Sequence, residues 1–265
     1  MAEKTVKALS DQILYEADGG VAVVTLNRPE ARNALTFEMY DRLAEICGST
    51  APDGPVRALI VTGADERAFA AGTDIGQFRS FRRPEDAIAY EERIERVLTA
   101  IETCPVPVVA AISGACTGGG AGIAAACDIR IATTDARFGF PIARTLGNCL
   151  SVANCARLAA LIGAGRAMEM IFTARLLSAE EALAAGLVSE VLEDHEALMI
   201  RARQLATVLA GHAPLTLRAT KEAMRRVRMG RVDDGDLITM CYMSEDFKEG
   251  LEAFLGKRRP EWKGR

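Results

Sequence analysis

Two small-residue segments carry most of the chemistry this sequence offers. The first is Ala68-Phe69-Ala70-Ala71-Gly72-Thr73-Asp74-Ile75, shortly after a β-rich run. The second is Ser113-Gly114-Ala115-Cys116-Thr117-Gly118-Gly119-Gly120-Ala121-Gly122, between a strand signal and a helix signal. Adjacent glycines at a helix start leave bare backbone for a ligand to approach. They also aim free N–H groups and the positive helix end at it. A second N–H from the Gly72-Thr73 turn would complete a two-donor hole for a carbonyl oxygen that becomes negative. Each such donor is worth about 3–4 kcal/mol at a transition state. The same spacing also fits tight helix–strand packing in which glycine is needed only for room. On spacing alone both readings stand.

Other chemistries find little support. No GxxxxGK[ST] occurs, which excludes a P-loop. Gly120-Ala121-Gly122-Ile123-Ala124-Ala125 matches GxGxxA in form, yet seven residues, Ser113 to Gly119, separate it from the strand end where a dinucleotide fingerprint should begin. There are two histidines, His195 and His212, both far in sequence from the glycines. His195 reads as a helix-start residue beside Asp194 and Glu196, and His212 as loop, so a Ser-His-Asp or Cys-His enzyme is not expected. The seven cysteines are scattered and form no CxxC, which argues against a disulfide framework or a zinc site. No metal is expected. Most of the cysteines read as small buried apolar residues.

The composition sets the frame for these segments. The chain has 265 residues, 49% of them apolar, enough for one sizeable core with a small helical appendage. Its formal net charge is −4, from 32 basic and 36 acidic residues, so no overall basic field draws nucleic acid or an anionic membrane. No apolar run reaches the roughly 18–20 residues needed to span a bilayer. The N-terminal Met1-Ala2-Glu3-Lys4 carries no secretory or transit pattern, and a cytoplasmic protein is expected.

Short strands alternating with helices must position the two segments. Ile13-Leu14-Tyr15-Glu16 and Val21–Leu26 flank Asp18-Gly19-Gly20 and predict a hairpin. Thr36 is the N-cap of a helix with Met39, Leu43 and Ile46 on one face. A strand follows at Arg57–Thr62, and Pro84 opens a long helix. Its apolar positions are Ala87, Tyr90, Ile94, Val97 and Ile101; its other face is charged. Val108–Ile112 and Asp128–Ala132 read as strands around a Gly/Ala-rich helix starting near Gly119. Beyond Ser151 the pattern is helical, with a brief strand at Leu187–Val191. The fold class is therefore α/β with a helical tail.

Taken in order, several stretches resemble the crotonase (enoyl-CoA hydratase/isomerase) superfamily. They are Asn27-Arg28-Pro29 with Asn33-Ala34-Leu35, the run Phe69–Ile75, and Gly118-Gly119-Gly120 ahead of Cys127-Asp128-Ile129. Phe138-Gly139-Phe140-Pro141, Leu177-Ser178-Ala179-Glu180-Glu181-Ala182 and Ser244–Gly250 complete the set. The resemblance covers roughly residues 10–260. It implies a crotonase-type spiral of ββα units over residues 1–195, a C-terminal helical trimerisation region over 196–265, and assembly as a homotrimer or a dimer of trimers. It also implies an acyl-CoA substrate, coenzyme A entering as part of that substrate and no further cofactor. By position, the N–H groups of Thr73 and Gly119 would form the oxyanion hole. Ala70, Ala71, Gly72, Ile75 and Gly118 would hold coenzyme A, and Phe254 and Lys257 resemble positions that reach a neighbouring subunit's coenzyme A.

One departure bears on the reaction. Hydratases of this family place a glutamate two residues after the Gly-Gly-Gly run and another directly after Phe-Gly-x-Pro; here those positions are Gly122 and Ile142. Neither can move a proton. Asp74 is a substitute, or else a cap for its own turn. Arg144, Asn148, Cys149 and Ser151 lie in the stretch that lines the acyl pocket in relatives. Arg144 would pair with a carboxylate on the acyl group or with an acid at a subunit contact. Cys149 is a nucleophile only with a stabilised thiolate, and otherwise a buried structural cysteine. The stripe Arg218, Lys221, Arg225, Arg228 is a solvated face, a seat for coenzyme A phosphates, or an RNA contact; no aromatics interleave with it, which argues against stacking on a single strand. The expected function is an acyl-CoA-processing enzyme that stabilises a thioester enolate. The alternatives are a catalytically silent coenzyme A binder, or an isomerase, decarboxylase or lyase with a different acid–base residue.

Overall fold

The computed structural model describes residues 5–265, with side chains from residue 11 onward. Strand β1 (Thr5–Ser10) pairs antiparallel with β2 (Ile13–Asp18), which turns into β3 (Val21–Leu26). Gly19 and Gly20 make that turn with φ of +56° and +86°, so two residues suffice to reverse the chain with the twist a hairpin needs. The predicted hairpin is present, one strand longer than the sequence indicated. Helix α1 (Phe37–Ser49) begins at Thr36, whose hydroxyl accepts the Met39 N–H at 3.2 Å. Met39, Leu43 and Ile46 are its buried face, as the spacing predicts.

From here the chain repeats one unit. Strands β4 (Ala58–Gly63) and β5 (Ala68–Ala70) precede helix α2 (Pro84–Thr103). Strands β6 (Val108–Ile112) and β7 (Ala115–Thr117) precede α3 (Gly119–Ala126). Strands β8 (Ile129–Thr133) and β9 (Arg137–Gly139) precede the short α4 (Ile142–Thr145). Helices α5 (Val152–Ile162) and α6 (Ala164–Thr173), strand β10 (Leu177–Ser178), helix α7 (Ala179–Ala184) and strand β11 (Glu190–Leu192) close the spiral. Four helices follow: α8 (His195–Ala210), α9 (Pro214–Arg228), α10 (Gly235–Tyr242) and α11 (Glu245–Leu255).

The first strand of each unit joins a seven-stranded sheet in the order β1-β2-β3-β4-β6-β8-β11, parallel from β3 onward. The second joins a four-stranded sheet, β10-β9-β7-β5. This is a spiral of ββα turns in the α/β class. The large sheet is apolar on both faces, as a covered parallel sheet must be. Val24, Leu26, Leu59, Val61, Ala110 and Ile112 face the main core with α1, α2 and α3. Val23, Ile60, Ala111 and Ile131 face Leu198, Ala202 and Ala206 of α8. Helix α8 is thus one of the layers covering the sheet.

The strand expected at Leu187–Val191 forms later, at Glu190–Leu192. Leu187 closes the end of α7 instead: its N–H goes to Ala182 and its carbonyl accepts the buried Arg130 guanidinium at 2.7 Å. With both backbone groups engaged, it has none left for a ladder. Among the described residues no helix is long and apolar enough to cross a membrane.

Candidate active site

The two segments singled out in the sequence end on neighbouring strands. Strands β5 and β7 pair in parallel, Ala68 opposite Ala115 and Ala70 opposite Cys116, so the turns after their C-terminal ends meet. The Asn27–Leu35 region fixes the first turn. Asn33 donates to the Ala68 carbonyl at 2.7 Å and accepts the Arg28 N–H at 2.9 Å. Leu35 then grips the turn on both sides of Thr73: its N–H goes to the Gly72 carbonyl at 2.8 Å, and its carbonyl accepts the Asp74 N–H at 2.9 Å.

That grip leaves the Thr73 N–H itself with no acceptor among the described residues. Gly119 is the first residue of α3, and its N–H likewise has no protein acceptor there. Gly118, φ +52°, turns the chain into the helix in a conformation that a side chain would strain. At Gly119 a side chain would run into the Tyr40 hydroxyl, and at Gly120 into the Ala70 backbone. The glycines therefore serve close approach and leave free donors at once.

Both donors line a cavity of about 210 Å³. Ala71, Gly72, Ile75 and Gly118 share its wall with Tyr90, Glu91 and Ile94 of α2, Gly122 of α3, and Ile142, Asn148 and Cys149 from the segment around and after α4. Behind Thr73 runs a short chain of hydroxyls: Thr73 Oγ1 lies 2.9 Å from the Tyr40 hydroxyl and 2.8 Å from that of Tyr90. Burial pushes both phenols above their ordinary pKa, and the nearby Glu91 charge adds to the effect. They stay protonated at neutral pH and act as hydrogen-bonding groups.

The sequence candidates separate on this geometry. Thr73, Gly119, Ala71, Gly72, Ile75, Gly118, Asn148 and Cys149 come together at the cavity. Ala70 is buried behind it in β5. Asp74 turns to its own loop, accepting the Gly76 N–H at 3.0 Å and pairing with Arg28 at 3.0 Å. The Gly76 N–H and the Arg28 guanidinium hold its carboxyl below the usual range. Arg144 is exposed on α4. Cys149, expected to be buried unless reactive, is exposed at the cavity, since the segment after α4 reaches the core only with Leu150. Ser151 caps α5 through the Asn154 N–H. Phe254 is 82% exposed on α11 and lines a separate hollow with Trp262; Lys257 lies just past that helix.

The basic stripe on α9 is largely neutralised within the chain. Lys221 pairs with Asp128 at 2.7 Å, Arg225 with Glu222 at 2.7 Å, and Arg228 with Glu102. The acidic neighbours expected of a solvated face are present, but the face is not a solvated one. The side chains of Lys221, Arg225 and Arg228 are 9%, 20% and 19% exposed, and Lys221 and Arg228 tie the helix back to the core. Arg218 alone of the stripe is exposed. His195 opens α8 as expected, its Nδ1 2.8 Å from the Ser113 hydroxyl.

Sequence reasoning missed Glu91. It lies outside the apolar positions read for α2, yet it lines the cavity and is half-buried. Burial first, then the Glu95 charge one turn on, push its carboxyl above the ordinary range. A signal was there: 87, 91, 94 and 98 keep the same helical phase as the core positions Ile94 and Leu98.

A ββα spiral whose parallel strand ends present two free N–H groups to an acyl-sized cavity is an enzyme of the crotonase type. The sequence model of the enoyl-CoA hydratase/isomerase family matches residues 16–265, and the chain belongs to that family. The short-chain-enoyl-CoA hydratase of Clostridium acetobutylicum is 36% identical over 256 residues, 95% of this chain and 97% of that one. The 2,3-dehydroadipyl-CoA hydratase of Escherichia coli K12 is 34% identical over 259 residues, 96% and 99% of the two chains. The crystal structure of an enoyl-CoA hydratase/carnithine racemase from Magnetospirillum magneticum superposes with a TM-score of 0.88 at 34% identity, covering 97% of each chain.

Proposed function

We propose that the cavity holds the acyl thioester of coenzyme A with its carbonyl oxygen on the N–H groups of Thr73 and Gly119, and that the enzyme works through the thioester enolate. The observation that carries this reading is the pair of unsatisfied donors facing one cavity. Charge that develops on the oxygen is met by dipoles already in place, which is the largest single source of catalysis in acyl chemistry. Ala71, Gly72, Ile75 and Gly118 would seat the coenzyme A moiety, with the buried Ala70 supporting them from behind, and no cofactor beyond it is called for.

The reaction is narrower than the family label. Gly122 and Ile142 stand at the positions where hydratases of the family carry their two glutamates, and neither can activate water. Both line the cavity, which leaves that wall free of proton carriers. Enolate formation at the α-carbon, as in an isomerase or a lyase, is the favoured activity over ordinary hydration. The two missing glutamates also favour a second reading, a silent coenzyme A binder; the carboxylate and phenol on the α2 wall speak against it. Phe254 and the exposed Tyr242, Met243, Phe247 and Leu251 on the last helices form an apolar surface of the kind that subunit contacts cover, in keeping with a homotrimer or a dimer of trimers.

The test is NMR of the protein with butyryl-CoA and crotonyl-CoA in D₂O. Exchange of the α-protons of the first without hydration of the second is the expected result. Binding of both thioesters with no exchange and no conversion would leave the silent binder.

A further inference from the structure

We propose that Glu91 is the catalytic base that takes the proton from the acyl α-carbon and hands it back to the product. This rests on the enolate reading above. In the step, the α C–H bond breaks and its proton bonds to the Glu91 carboxylate. The electron pair moves into the thioester, and the negative charge settles on the oxygen held by Thr73 and Gly119. Reprotonation of the carbon restores the carboxylate, so no oxidant or co-reactant is needed.

Three observations converge on Glu91. It is the one carboxylate among the cavity's lining residues, on the wall formed by α2. It has no ion pair and no hydrogen bond among the described residues. Glu95 and Glu102 of the same helix are held by Arg157, at 2.6 Å and 2.9 Å, and the neighbouring Glu92 is exposed away from the cavity lining. Third, it directly follows Tyr90 in α2, whose hydroxyl lies 2.8 Å from Thr73 Oγ1, and both residues line the cavity that the donor turn opens on. An unpaired, half-buried carboxylate has little to gain for stability from its place.

The groups facing Glu91 are few. Tyr90 and Glu95 lie on its own helix, Tyr40 comes from α1, and Cys149 from the segment after α4; no Lys, Arg or His lines the cavity. Burial and Glu95 raise its pKa above the ordinary 4.5, toward the range where a base is both ionised and strong. The exchange rate should climb with pH through that raised value and then level off.

The experiment compares wild type, Glu91→Gln and Glu91→Asp for α-proton exchange of butyryl-CoA in D₂O, with binding measured by calorimetry. The proposal expects Glu91→Gln to bind the thioester as wild type does and to lose about 100-fold or more in exchange. Glu91→Asp should retain an intermediate rate with a displaced pH limb, a signature that a purely structural role would not produce. Exchange by Glu91→Gln close to wild type, with the same pH limb, overturns the proposal and leaves the enolate reading intact. Wild type that binds but never exchanges removes the enolate reading, and the base with it.

Discussion

The Tyr40 hydroxyl stands where a side chain at Gly119 would begin, well inside van der Waals contact of a Cβ built there. The same hydroxyl bonds Thr73 Oγ1 at 2.9 Å, so one fully buried phenol braces both turns that carry the free donors. Gly119→Ala must therefore move either Tyr40 or the start of α3. It is expected to lower the exchange or turnover rate by about 100- to 1,000-fold, the usual cost of one lost oxyanion donor. Gly122→Ala is the control, because its Cβ would meet Leu98 at an ordinary 3.7 Å. It should keep activity and gain up to about 1 kcal/mol of helix stability. Equal losses in the two variants, read by exchange kinetics alongside thermal melting, would sink the two-donor reading.

Asp74 offers the complementary test. Its carboxylate caps the turn at Gly76 and pairs with Arg28, and these partners keep its pKa low and its basicity weak. Asp74→Asn retains an oxygen for the cap and loses the ion pair, at a cost of about 1 kcal/mol or less. The expected kinetic outcome is a raised KM for the thioester, from a looser Ala71–Ile75 turn, with kcat little changed. A fall in kcat of about 100-fold would return the base role to Asp74 and take it from Glu91.

What the sequence made legible follows from where its signals are local. The Thr36 cap, the Gly19-Gly20 turn and the strand Val108–Ile112 are short-range features, and each appears at or within a residue of its expected place. The small sheet was not legible. Its strands, Ala68–Ala70, Ala115–Thr117, Arg137–Gly139 and Leu177–Ser178, are too short to show a period of two and exist because the larger sheet brings them together. The donor pair could be named from small residues at a strand end and a helix start. Glu91 offered only its spacing, three and seven residues ahead of the core positions Ile94 and Leu98, and a charged residue on an amphipathic helix otherwise reads as solvated. In the fold Glu91 and Gly122 line one cavity.

The helix that carries Glu91 is anchored by a buried ion network. Arg157, nearly inaccessible, takes Glu95 and Glu102 of α2, and Arg228 of α9 takes Glu102 from the other side. Burial alone would raise the Glu102 pKa, but the two guanidiniums outweigh it and hold the carboxyl below its ordinary 4.5. A folded-state pKa below the unfolded one adds stability at pH above about 4.5, and that contribution fades as pH falls through the lower folded value. Melting temperature is expected to drop on this acid limb, and Glu102→Gln to be destabilised near neutrality with a flatter limb. Arg157→Ala strands Glu95, leaves Glu102 to Arg228 alone, and should cost about 3–5 kcal/mol. A Glu102→Gln protein whose melting temperature follows pH as wild type does would show that the network contributes nothing to acid lability.

Glutamates can be introduced at positions 122 and 142. Position 122 has an ordinary backbone conformation, lines the cavity, and has only the Leu98 methyls, at 3.7 and 3.9 Å, near a Cβ, so a side chain there meets no backbone. Ile142 opens α4 on the same cavity and is 8% exposed. Replacing it by glutamate costs about 1–3 kcal/mol for a carboxyl moved to a largely apolar wall, a loss a stable core tolerates. Gly122→Glu with Ile142→Glu would supply two proton carriers on the cavity that the free N–H groups of Thr73 and Gly119 line. Such a pair is worth about 100- to 10,000-fold in general acid–base catalysis. Hydration of crotonyl-CoA, followed by loss of the enoyl absorbance, should therefore rise at least about 100-fold in the double variant and less in either single one. If the double variant binds crotonyl-CoA and hydrates it no faster than wild type, positions 122 and 142 do not reach the β-carbon. The acyl group would then lie along the α2 wall instead, nearer to Glu91.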